Sequence, residues 1–71
     1  MRAIDDLILI LRNGGNIDLR AGPYSHDDLT LLCRNIPQDC TLVLRDVKDR
    51  VADELVQLAR IAPRRVTIVF D

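Results

Sequence analysis

The single histidine of the chain, His26, stands in the segment YSHDD (24–28) beside Asp27 and Asp28, and two further acids, Asp46 and Asp49, follow the next strand-like stretch. An imidazole beside a carboxylate can share a divalent metal, or the ring can act as a base with Asp46 and Asp49 supplying charge. This gives one reading of the chain, a small-molecule or metal-dependent activity around His26, Asp46 and Asp49. The same letters also spell a helix start. Ser25-x-x-Asp28 is a capping pattern, and consecutive residues in a first helical turn point in different directions and do not converge on one ligand. Ser25, His26 and an Asp make no catalytic triad by adjacency, because such groups are recognised by geometry in space. Gly14-Gly15 precede a strand-like stretch and do not link a strand to a helix, so they form no phosphate loop. Cys33 and Cys40 lack a CxxC spacing and have no histidine-rich company. They are read as small buried hydrophobes, with a disulfide or metal pair as the alternative. No catalytic, cofactor or metal residue is assigned on this basis, and a non-catalytic role is expected.

The elements that position these residues emerge when the chain is laid against itself. DDLILILRN (5–13), DDLTLLCRN (27–35) and DELVQLARI (53–61) share one template, with the arginine falling at Arg12, Arg34 and Arg60. Each copy is followed by an alternating stretch, NIDLR (16–20), TLVLR (41–45) and VTIVFD (66–71). A fixed period of this kind is the mark of one supersecondary unit used several times. Apolar residues in the copies recur at helical spacing: Ile4, Leu7, Ile8 and Leu11; Leu29, Leu32, Cys33 and Ile36; Leu55, Leu58, Ala59 and Ala62. Asn13-Gly14 between apolar runs is also a hairpin signal. The hairpin would change the structure of the first copy while keeping its template, so helix is the reading adopted for residues 5–13. Gly14 then becomes the left-handed helix end, and Gly15 turns the chain directly into the first strand, with a connection three residues shorter than in the second unit. Ser25 is expected to cap the second helix, with Tyr24 stapled onto Leu29, and Asp49 is the expected cap of the third.

Three helix-strand units without a hairpin predict an α/β fold, a three-stranded parallel sheet with its helices on one face. The units are approximately residues 1–20, 21–45 and 46–71 of a single domain. An offset of 26 between the second and third units pairs Leu42 with Ile68 and Leu44 with Phe70. The positions facing the helices are then Ile17, Leu19, Leu42, Leu44, Ile68 and Phe70. The opposite face carries Arg20, Arg45 and Asp71 in one row and Asp18, Val43 and Val69 in the next. At this stage the chain resembles a short leucine-rich-repeat-like array, whose units of roughly 20 to 29 residues stack strands on one face and helices on the other. The LxxLxLxxN/C signature of that group is not present in CTLVLRDV. A second resemblance is to the small α/β domains of anti-sigma-factor antagonists, without their phosphorylatable serine motif.

The resemblance implies a strand face that holds protein partners. On that face Arg20 and Arg45 are expected to orient a partner while Val43 and Val69 supply apolar contact. Leu9 and Leu31 occupy equivalent positions opposite the buried stripe of their helices, with Gln57 in the third copy, and form a second expected contact patch, suited to a homodimer. The chain has 71 residues, 48% hydrophobic and 30% charged, with Tyr24 and Phe70 the only aromatics. That composition fits a folded aliphatic core of marginal size, for which association is a natural supplement. A formal net charge of -1 offers no basic footprint for nucleic acid. The apolar run from Leu7 to Leu11 is too short for a membrane span or a secretory core, so a cytoplasmic protein with no membrane partner is expected. No cofactor is expected, and the partner is another protein or a second copy.

Overall fold

The computed structural model describes residues 2–70. Helices and strands alternate through α1 (Ile4–Arg12), β1 (Ile17–Arg20), α2 (His26–Arg34), β2 (Leu42–Arg45), α3 (Ala52–Ile61) and β3 (Val66–Ile68). Residues 5–12 are therefore helical, and the hairpin alternative is excluded. Each helix carries acids in its first turn and an arginine in its last: Asp5, Asp6 and Arg12; Asp27, Asp28 and Arg34; Asp53, Glu54 and Arg60. These charges complement the helix dipole, which favours anions at the amino end and cations at the carboxyl end.

The end of α1 explains the first connection. Gly14 has φ +92° and donates its amide to Leu11 O at 3.0 Å, while Gly15 donates to Ile10 O at 3.0 Å. This pair of bonds is the Schellman arrangement, which needs a left-handed residue after the helix. At the start of α2, Ser25 Oγ accepts the amide of Asp28 at 3.1 Å. Tyr24 and Leu29 are both buried on the core side of that cap, as a hydrophobic staple requires. α3 begins differently. Its N-cap is Val51, with no side-chain hydrogen bond, so Asp49 lies two residues too early to serve.

The three strands form one parallel sheet in the order β1-β2-β3. Leu42 and Leu44 have no exposed surface, whereas Val43 between them is half-buried, so one face of β2 lies under the helices and the other does not. Leu7 and Leu11 from α1, Leu29, Leu32 and Cys33 from α2, and Leu55 and Leu58 from α3 pack with Leu42 and Leu44 into one cluster. The core is aliphatic, each fully buried leucine contributing roughly 1.5–3 kcal/mol of transfer free energy. Its only aromatic is Tyr24, whose hydroxyl donates to Arg2 O at 2.6 Å. No helix among the described residues is long and apolar enough to cross a membrane.

The third unit departs from the expected register. β2 pairs with β3 as Leu42 with Val66, Val43 with Thr67 and Leu44 with Ile68, two residues out of step with the 26-residue offset. The reason lies in the connection. The second unit takes residues 35–41 to pass from helix to strand, whereas the third takes only 62–65. A turn closed by Arg65 N–H to Ala62 O at 3.0 Å, with Arg64 at φ 69°, brings the chain straight into β3. Val66 and Ile68 are consequently the positions over the core. Phe70 lies beyond the strand and is 74% exposed, which corrects its expected place under the helices. Ala59 is likewise exposed and not part of the buried stripe of α3. The first connection, residues 13–16, is three residues shorter than the second, as expected.

Candidate interaction surface

The outer sheet face is built from the alternate residues of the three strands. Asp18, Val43 and Thr67 form one row, and Arg20 and Arg45 stand side by side in the next. Val69 continues this second row: its amide donates to Leu44 O at 3.0 Å and extends the pairing past Ile68. Val69 thus sits beside Arg45 and not beside Val43, and Asp71, expected in the arginine row, lies outside the described residues. Asp18, Arg20 and Thr67 are exposed, while Val43, Arg45 and Val69 are half-buried. Two neighbouring guanidinium groups repel, and Asp18 offsets this through an ion pair with Arg45, Oδ1 to Nε 2.8 Å, diagonally across the face. The pair is exposed at both ends, so its contribution is orientation more than stability. At the carboxyl ends of the strands this face runs into an open cleft of about 310 Å³ lined by Arg20, Arg45, Asp46, Lys48, Val69 and Phe70.

On the helical side Leu9 is 62% and Leu31 42% exposed. Their backbones are held alike: Asn13 Nδ2 donates to Leu9 O and Asn35 Nδ2 to Leu31 O, both at 2.8 Å. The asparagine that closes each of the first two template copies thus adds a side-chain bond to a carbonyl of the last helical turn, and at Leu9 that carbonyl also accepts the Asn13 amide at 3.2 Å. Ile10, Val51, Val56 and Phe70 are further exposed apolar residues that helical and strand periodicity did not single out. The third equivalent of the leucine position, Gln57, has another role. Its Oε1 lies 3.0 Å from His26 Nε2, joining α2 to α3.

That bond places the histidine. His26 is partly buried against α3, with Nδ1 enclosed and without a hydrogen-bond partner, and it forms no metal-holding group with Asp46 and Asp49. Among the described residues no three His, Cys, Asp or Glu side chains form a group that could hold a metal. The loop that leads into α2 at His26 and the loop bearing Asp49 are tied by Arg50, which sequence reasoning missed: its Nη2 donates to Ala21 O at 2.7 Å and to Tyr24 O. The two N–H groups on this one nitrogen form a fork that can satisfy two carbonyls at once, and the contact spans more than 25 residues of chain, so no local pattern reveals it. Arg65 does similar work at the other end of the sheet, Nη1 to Ile36 O 3.2 Å. Cys33 and Cys40 are both buried free thiols; burial pushes the Cys33 thiol up from its ordinary value near 9 to about 11.

Fold and surface together define a small open parallel α/β domain with one bare, mixed-polarity sheet face. No family model matches the chain, and no curated protein and no solved structure matches it either.

Proposed function

We propose that this chain is a non-catalytic protein-interaction or assembly module that self-associates. The observation that carries the reading is the outer sheet face, where Arg20 and Arg45 alternate with half-buried Val43 and Val69 and no described element lies over them. A β-sheet whose second face carries apolar and charged groups in alternation offers both adhesion and orientation to a partner. The exposed Leu9 and Leu31 on neighbouring helices add a second apolar surface. The size of the domain points the same way, because a chain of this length buries only about 60% of the surface its unfolded form exposes.

The test is the mass of the intact protein by light scattering over the micromolar range, with capture experiments run alongside. The unaltered chain assembles, and a chain carrying Leu9→Asp with Leu31→Asp shows a lower mass. An unchanged mass removes the leucine pair from the interface. A chain that stays monomeric and captures neither itself nor a specific partner overturns the reading as a whole.

A further inference from the structure

We infer that the primary self-contact is the free edge of β3, where a second copy pairs antiparallel about a two-fold axis through Ile68 and the two sheets become one of six strands. The inference rests on the self-association reading and names the surface that carries it. The first support is the direction of the backbone groups. Leu42 N–H donates to Arg65 O at 2.8 Å and Val69 N–H to Leu44 O at 3.0 Å, so Arg65 and Val69 turn their hydrogen-bonding groups toward β2. In a strand these directions alternate, so the N–H and C=O of Val66, Ile68 and Phe70 turn away from the sheet. β3 is the last strand in the order, and no described element lies beyond it.

The second support is composition. Val66-Thr67-Ile68-Val69-Phe70 has no charge, proline or glycine and consists of β-branched and aromatic residues. An edge of this kind is a template for another chain unless it is guarded. The opposite edge is guarded. Ile17 and Ala21 give their amides to Thr41 and Arg45, so the residues that face away from β2 are Asp18 and Arg20, both charged.

The third support is register. An axis through Ile68 pairs Ile68 with itself, Val66 with Phe70 and Thr67 with Val69. All three outward-facing residues then fall in hydrogen-bonded pairs. Moving the axis to Val66 sets Ile68 against Arg64 and Phe70 against Ala62, which lie in the turn before β3 and not in a strand. Directly opposed side chains share a face. The 74% exposed Phe70 therefore meets the half-buried Val66 of the second copy, and both copies keep their helices on the same side.

The experiment mixes full-length chains carrying Thr67→Cys with chains carrying Val69→Cys under oxidising conditions. Both positions lie on the outer face, and Cys33 and Cys40 are buried, so neither competes. In the inferred register positions 67 and 69 form a non-hydrogen-bonded pair about 4.5 Å apart, within disulfide reach, whereas like positions sit on a diagonal of about 7–8 Å. The expected result is a mixed cross-linked dimer exceeding each like cross-link severalfold, and in chains that also carry Leu9→Asp and Leu31→Asp this dimer is the species of lower mass that remains. In that background Phe70→Lys, at a residue outside the core, is expected to abolish the dimer mass while the circular dichroism of the fold is unchanged. A dimer whose like cross-links equal the mixed one, or that survives Phe70→Lys, overturns the β3 edge and leaves self-association standing. An unaltered chain that is monomeric throughout overturns both.

Discussion

Replacing Arg50 by methionine keeps the aliphatic stem and removes the fork that holds the Ala21 and Tyr24 carbonyls. Hydrogen bonds from a charged donor are worth roughly 1.5–3 kcal/mol each, but Arg50 is itself only half-buried, so water can take its place beside the two carbonyls in the variant. The combined loss is therefore placed at about 2–3 kcal/mol. A domain of this length has a total stability of roughly 4–10 kcal/mol, so the change is a large fraction of it. With about 4–8 °C of midpoint per kcal/mol for a domain of this size, the thermal midpoint falls by roughly 10–20 °C. Thermal and urea unfolding followed by circular dichroism read this directly. Lysine at the same place keeps the charge on a shorter side chain, and its midpoint is expected between the two. A midpoint for Arg50→Met within about 4 °C of the unaltered chain would show that the fork contributes under 1 kcal/mol and that the two loops are held by packing alone.

The remaining expectations are shorter. Because Cys33 is raised in the folded state, the folded chain keeps its proton where the unfolded chain has lost it, so stability is full below pH about 9 and declines toward pH about 11; urea midpoints across that range check the slope, and Cys33→Ala should flatten it. Gly15→Ala places a Cβ 2.6 Å from Ile10 Cγ2 and 3.0 Å from Ile10 O. It should cost about 1–3 kcal/mol in urea unfolding, through crowding of the turn after α1.

The parts of the fold that could be foreseen are those encoded in residue types at short range. The acid pair, the leucines at helical spacing and the terminal Arg-Asn recur in DDLILILRN and DDLTLLCRN, and they specified α1 and α2 as helices against the competing hairpin signal of Asn13-Gly14. The failures have one physical source, contacts that close over distance. The register of β3 depends on a turn at 62–65 in which Arg64, not glycine, takes the left-handed conformation, so nothing in the letters announces that the connection is short. Phe70 and Val69 were displaced by that turn alone. His26 reached Gln57, 31 residues away, through the packing of α2 on α3, a geometry no motif around YSHDD contains. The outward positions of Leu9 and Leu31 were legible because the helical repeat dictates them.

The strand order has a kinetic meaning as well. β1 and β3 each pair only with β2, and α2 is the helix that packs on both of its neighbours. The middle unit is thus the sole hub through which the outer two communicate, and either outer unit can open without tearing the other from its partner. In the separated chain amide exchange should accordingly be slowest along Leu42–Arg45 and faster toward both flanks, with the chain melting from its margins inward.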